Sequence, residues 1–250
     1  MRPASPPGFR ILLAYRCQYG GRNDFYTRQM PTGLCTIHAL LRSRGFDSRL
    51  ANFSRFRWSE IAQTLRHLRP RVLGISLFTF NRGAAVKISR VAREADPGIF
   101  VVAGGPHATH LAEHVLSRHP SIDAVAVGEG EPIVPRMMEA LLGAADPRKG
   151  LDALQPKDGF YVPSRYEVRY HADGTVAAYD GPGRITRQRG WPGAMGFPQS
   201  VILTPNTEMS MKYMVEISRG CPCMCRFCWA GYNYLPVRGF TRSELVARAR

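Results

Sequence analysis

"RVLGISLFTFNRGAAVKISRVAREADPGIFVVAGG", residues 71–105, holds the pattern from which the rest of the fold can be read. Its first eight residues are a short apolar run of the size of a buried strand. "AAVKISRVAREADPG" (84–98) reads as a helix ended by Pro97-Gly98. "IFVVAGG" (99–105) is a second apolar run, closed by two glycines. A strand, a helix and a strand in this order form the unit from which parallel sheets are built.

The unit repeats on both sides. Upstream, "RILLAY" (10–15) and "DSRLANF" (47–53) read as strands. Between them "GLCTIHALLRSRG" (33–45) has apolar residues at 34, 37, 40 and 41, and Gly45 supplies a C-terminal stop. "WSEIAQTLRHLRP" (58–70) has apolar residues at 58, 61, 62, 65 and 68 and ends at Pro70. Downstream, "HATHLAEHVLSRHP" (107–120) and "EPIVPRMMEALLGA" (131–144) read as helices on either side of a strand in "IDAVAVGEGE" (122–131). Strands and helices that alternate five times imply an α/β domain over residues 1–145, with a parallel sheet covered on both faces. Right-handed crossovers predict a flavodoxin-like, doubly wound sheet of order 2-1-3-4-5. A ligand site is then expected at the carboxyl ends of the strands. The loops there are "RCQYGGRND" (16–24), "SLFTFNRG" (76–83), "GGPH" (104–107) and "GEGE" (128–131). A single glycine can simply end a strand, but Gly104-Gly105 and Gly128-x-Gly130 at adjacent strand ends suggest backbone lying close to a bulky flat ligand. No GxxxxGK[ST] phosphate loop is present, and no GxGxxG follows the first strand.

Residues 146–208 have another texture, rich in Gly and Pro, and read as a connector. "SRYEVRYHADGTVAAYD" places Asp173-Gly174 between two alternating runs, which predicts an antiparallel hairpin. "RQRGWPGAMGFPQS" (187–200) reads as irregular. From 209 the chain changes again. "MKYMVEIS" (211–218) is strand-like, and Thr241-x-x-Glu244 is a capping box that opens a helix at the end of the chain. That helix predicts a longer parent protein in which residues 209–250 begin a further domain.

"SRGCPCMCRFCWAG" (218–231) separates that strand from that helix, and its cysteines stand at 221, 223, 225 and 228. Only Cys17 and Cys35 occur elsewhere. A disulfide framework suits small secreted chains, whereas this N-terminus has no signal-peptide core and no run of about eighteen apolar residues occurs. A cytoplasmic protein that does not enter membranes is the expectation. Structural zinc takes two ligand pairs set apart, and no second pair is present. Cys221, Cys225 and Cys228 give C-x3-C-x2-C, which lets three thiolates hold three irons of a [4Fe–4S] cluster and leaves the fourth iron open. The net charge of +15 favours polyanions, but the basic residues are nearly all Arg, scattered and without interleaved aromatics, so nucleic acid is not the expected partner.

At the cysteine loop the sequence resembles the radical S-adenosylmethionine (radical SAM) enzymes. "EISRGCPCMCRFCWAG" shares the CxxxCxxC spacing, the aromatic Phe227 before the last cysteine and the preceding strand. Cys223 departs from the pattern and is read as a bystander. Residues 10–143 in turn resemble the cobalamin-binding domain that precedes the radical domain in one subgroup, through "GISLFTFN", "VVAGGPHAT" and "AVAVGEGEP". The resemblance implies that Cys221, Cys225 and Cys228 ligate the cluster and that Phe227 lies beside S-adenosylmethionine. It implies that Ser76, Thr79, Gly104, Gly105, His107, Gly128, Glu129 and Gly130 border cobalamin. For His107 the plain alternative is a polar residue that starts a helix, and for Trp229, Tyr232 and Tyr234 it is core packing. The first strand-end loop has none of the D-x-H-x-x-G histidine that ligates cobalt in many such domains. Cobalamin held without a protein histidine, or a domain that keeps the fold alone, follows from that difference. The implied activity is reductive cleavage of S-adenosylmethionine to a 5′-deoxyadenosyl radical, followed by methyl transfer or a related C–H modification. A one-electron donor such as flavodoxin or ferredoxin and a small-molecule or peptide substrate are the implied partners. A non-enzymatic cysteine-knuckle module of an RNA-binding kind is the other class that the composition allows.

Overall fold

The computed structural model describes residues 11–17, 28–190 and 202–249. The element order is β1 (Ile11–Tyr15), α1 (Thr32–Ser43), β2 (Ser48–Asn52), α2 (Trp58–Leu68), β3 (Val72–Ser76), α3 (Arg82–Ala95), β4 (Phe100–Gly104), α4 (Pro106–His110), α5 (Ala112–Arg118), β5 (Ala124–Ala126) and α6 (Gly130–Leu142). The strands stand in the order β2-β1-β3-β4-β5, all parallel, as the sequence predicts. The register is tight: Ile11 faces Val72, and Val72 faces Phe100.

Alternation along each strand divides the core in two. Ile11, Leu13 and Tyr15 point to one face, where Leu34 and Leu41 of α1 and Ile133, Met137 and Leu141 of α6 cover them. Leu12 and Ala14 point to the other, under Ile61 and Leu65 of α2, Ile88 and Ala92 of α3 and Val115 of α5. Strands buried on both faces read as continuous apolar runs, which is why β1, β3 and β4 stand out in the sequence.

Three features depart from the expected pattern. The helix expected over 107–120 is two helices, α4 and α5, with the axis broken at Leu111 (φ −128°, ψ 36°). The sheet also gains a sixth strand, β6 (Phe160–Tyr161), antiparallel to β5 with Val125 opposite Tyr161. It comes from the stretch read as connector and buries Phe160 and Tyr161 at the edge of the core. Finally, "MKYMVEIS" is not a full strand. Only β9 (Ser218–Arg219) pairs, antiparallel to β10 (Arg238–Gly239), because the backbone before it has no neighbouring strand to bond among the described residues.

The hairpin is present as β7 (Glu167–Tyr170) and β8 (Val176–Asp180). Its turn is held by Thr175 N donating to Asp173 Oδ1 at 2.9 Å, with Gly174 at φ +83°. After the cysteine loop come α8 (Trp229–Asn233) and α9 (Arg242–Ala249). The capping box that opens α9 is formed: Thr241 N donates to Glu244 Oε2 at 2.7 Å, and Glu244 N to Thr241 Oγ1 at 3.3 Å. A four-residue helix, α7 (Pro147–Gly150), links α6 to the rest. No helix among the described residues is long and apolar enough to cross a membrane.

Candidate functional site

A cavity of about 630 Å³ opens at the carboxyl ends of β1, β3, β4 and β5, between the sheet and helices α1 and α6. This is where a doubly wound sheet places its ligands. Its depth is apolar, lined by Leu13, Val102, Ala126, Met137 and Met138. Its mouth is polar and includes Ser76, Thr109, Glu129, Arg187 and Arg219. Of the residues expected at the site, Ser76, Gly104, Gly105, Gly128, Glu129 and Gly130 border this cavity.

Thr79 and His107 do not line it, although both belong to the same strand-end loops. His107 is buried, its Nδ1 lies 3.1 Å from Thr79 Oγ1, and its Nε2 has no hydrogen-bond partner among the described residues. Burial lowers the pKa of the imidazole, and the charges of Arg82, His114 and His119 lower it further, so the ring is neutral near pH 7. Residues 18–27 of the β1–α1 loop lie outside the described residues, as does "RQRGWPGAMGFPQS" beyond Gly190.

The glycines of the mouth have two different roles. Gly105 (φ +91°) and Gly128 (φ +117°) are tight against the protein itself: a Cβ would meet Leu77 O at 2.9 Å in the first and Gln188 O at 2.3 Å in the second. The close approach anticipated for a ligand is therefore made, at these two positions, by neighbouring backbone. Gly104 is the reverse. Among the described residues a Cβ there would find nothing nearer than Ala126 Cβ at 3.9 Å, and Gly104 borders the cavity, so a side chain there would grow into it.

Several residues that build the mouth were not singled out from the sequence. Asn81, buried at the start of α3, accepts from Phe78 N at 2.8 Å and donates to Ser76 O at 3.1 Å, which fixes the β3–α3 loop. Tyr15 reaches the cavity and donates to Gln29 Oε1 at 2.9 Å. Burial raises its phenol well above the usual range, helped by Cys17 and Glu208, so it stays protonated. Arg219 and Arg238 converge on Glu129 from the cysteine-loop segment, at 2.8 Å and 2.6 Å. Burial alone would raise the Glu129 carboxyl. The hydrogen bond from Arg238, the charge of Arg219 and the Gly190 N–H outweigh it and hold the carboxyl below its ordinary value.

The cysteine loop sits beside this mouth. Its turn is closed by Cys228 N donating to Cys225 O at 2.9 Å and by Tyr232 Oη donating to Met224 O at 2.9 Å. Cys221 and Cys228 are half-buried; Cys223 and Cys225 are exposed. Phe227 is 93% exposed and lies away from the cavity lining. Trp229 and Tyr232 are also exposed, whereas Tyr234 borders the cavity. The Cys223 thiol is pushed up by its hydrogen bond with Cys221 and by that residue's charge. Four thiols within eight residues suit iron–sulfur ligation chemically. Among the described residues, however, no three His, Cys, Asp or Glu side chains are gathered as a metal-ligand set.

The sheet is of the doubly wound α/β type, and residues 22–137 match the B12 binding domain family. The chain is similar over most of its length to proteins named as radical SAM enzymes. It is 24% identical over 188 residues to the cobalamin-dependent radical SAM methyltransferase TokK of Streptomyces tokunonensis, covering 71% of this chain and 25% of that one. It is 24% identical over 234 residues to the anaerobic magnesium-protoporphyrin IX monomethyl ester cyclase of Rubrivivax gelatinosus, covering 90% and 40%. Its fold matches the cobalamin-dependent S-adenosylmethionine radical enzyme OxsB, solved with aqua-cobalamin and S-adenosylmethionine bound, at a TM-score of 0.64 and 15% identity, over 96% of this chain and 31% of that one. The chain spans between 24% and 42% of the length of the curated relatives it matches.

Proposed function

We propose that the cavity at the carboxyl edge of the sheet holds cobalamin, and that the chain is the cobalamin-binding part of a radical SAM enzyme that alkylates or otherwise modifies an unactivated carbon. The observation that carries this reading is the cavity itself. It has the size of a cofactor site, an apolar depth and a polar mouth, and it is built from the loops that match the B12 binding domain. Leu13, Val102, Ala126, Met137 and Met138 exclude water from its depth, while Ser76, Thr109 and Arg187 offer hydrogen bonds at the rim. Residues 16–31 contain no histidine, so cobalt would take no ligand from that loop.

Cys221, Cys225 and Cys228 are the proposed ligands of a [4Fe–4S] cluster, with Phe227 beside S-adenosylmethionine. When bound, the cluster would supply the electron that cleaves S-adenosylmethionine. This rests on spacing and donor chemistry, with ligation drawing the three thiols together. Methyl transfer is the favoured outcome because it is the named activity of relatives such as TokK; the cyclase relatives make ring formation the second reading.

The test has two arms. Hydroxocobalamin mixed with the chain should co-elute with it in gel filtration at one per chain; a chain that emerges colourless has kept only the fold. Anaerobic reconstitution with iron and sulfide should give a brown protein. Cys225→Ala should lose the colour and Cys223→Ala should keep it. A fully coloured Cys225→Ala variant would sink the ligand assignment.

A further inference from the structure

Glu129 belongs to two structures at once. It borders the cavity, and its carboxylate holds the two arginines at the base of the cysteine loop. Arg219 Nη1 donates to Oε2 at 2.8 Å; Arg238 Nη2 donates to Oε1 at 2.6 Å and Nη1 to Oε2 at 2.9 Å. Arg219 stands two residues before Cys221, and Arg238 follows α8. The two are also direct partners in the β9–β10 pair. One carboxylate thus grips both strands from which the loop emerges. Glu131 adds a second grip, accepting from Arg219 Nη2 at 2.7 Å. Farther along, Asn233 at the end of α8 is held by His110 Nε2 at 2.7 Å and by Arg187 at 2.5 Å.

The site is buried: Arg238 is 4% exposed and Glu131 5%. Buried ion pairs add little net stability over an apolar contact of the same volume, and their best-attested use is to set register. The register set here is that of the cysteine loop against the cavity mouth. An occupant of the cavity would meet the carboxylate that holds the loop.

We propose that Glu129 is a positioning residue that registers the cysteine loop on the cavity mouth, so that the order of residues 218–240 follows the state of the cavity. The ligand-dependent half of this rests on cobalamin being the occupant; the registration itself does not.

Amide hydrogen exchange on the full chain tests both halves. Without ligand, Glu129→Gln should speed exchange in residues 218–240 about tenfold, the weight of one charge-assisted hydrogen bond, while amides of β3 and β4 keep their protection. Equal exchange in the wild type and Glu129→Gln would overturn the registration. Should Glu129→Gln lose protection in the core as well, Arg238→Lys reads the same contact. An intermediate rate confined to residues 218–240 supports the proposal, and an unchanged rate overturns it. Added hydroxocobalamin should slow exchange in residues 218–240 of the wild type and not in Glu129→Gln. Bound hydroxocobalamin that leaves the wild-type loop unchanged would overturn the coupling. If the wild type takes up no hydroxocobalamin, the cofactor assignment and the coupling fall together, while the ligand-free comparison still decides the registration.

Discussion

Gly104 and Gly105 are neighbours at the end of β4, yet replacing each by alanine should have opposite consequences. Gly105 has φ +91° and ψ 178°, a backbone region that residues with a Cβ rarely enter. Its added methyl would lie 2.9 Å from Leu77 O, 3.0 Å from Ser76 Oγ and 3.2 Å from Leu77 N. Two of these three are backbone atoms, held where Leu77 N donates to Gly104 O and His107 N to Leu77 O, and they cannot swing aside as a side chain could. The conformational strain costs about 1–3 kcal/mol and the overpacking about as much again, so Gly105→Ala should lose about 3–4 kcal/mol. Gly104→Ala meets only Ala126 Cβ, at 3.9 Å, and ends in open space. Its effect should stay within about 0.5 kcal/mol of zero or be slightly stabilising. Urea unfolding of both variants decides the matter. With a slope of about 2–3 kcal/mol/M, the Gly105→Ala midpoint should fall by more than about 1 M while that of Gly104→Ala hardly moves. Equal midpoints for the two variants would show that the β4–α4 turn is not held as described.

Other outcomes follow from the same geometry. Asn81→Ala removes both anchors of the β3–α3 loop, strands a half-buried N–H and carbonyl, and should cost about 1–3 kcal/mol in the same assay. Arg238→Met should destabilise by about 2–3 kcal/mol at pH 7, less than for a wholly unpaired buried charge because Arg219 still faces Glu129. The Glu129 carboxyl is depressed in the folded state, so its stabilising share is complete above its ordinary value of 4.5 and is lost as pH falls through the lower folded value. The penalty of Arg238→Met should therefore shrink as the carboxyl is protonated in acid, and a penalty that grows on acidification would contradict the pairing.

Most of the doubly wound sheet was legible because β1, β3 and β4 are buried on both faces and so appear as unbroken apolar runs between helices of plain periodicity. β6 was not, since two residues in a Gly- and Pro-rich stretch carry no period; what makes Phe160–Tyr161 a strand is the open edge of β5. "MKYMVEIS" erred the other way: strand composition is idle without a partner to bond. At the site, topology pointed to the sheet edge where the cavity opens and to six residues that border it. It could not separate His107, turned onto Thr79, from the residues that face the opening. Nor could it single out Arg219 and Arg238 among thirty-four basic residues, because their meaning lies in a carboxylate 90 and 109 positions upstream. The cysteine spacing was plain in the chain, but spacing alone does not draw the thiols together.

The central claim is that the cavity at the carboxyl edge is the cofactor site, and a paired titration tests it most directly. Wild-type chain and Gly104→Phe, which fills the cavity from a position with room for its Cβ, are dialysed to equilibrium against hydroxocobalamin. One corrinoid should bind per wild-type chain, with at least about a hundredfold weaker binding in a Gly104→Phe variant that unfolds with ordinary cooperativity, a difference of about 2.7 kcal/mol. Equal uptake by both would place the corrinoid somewhere other than this cavity.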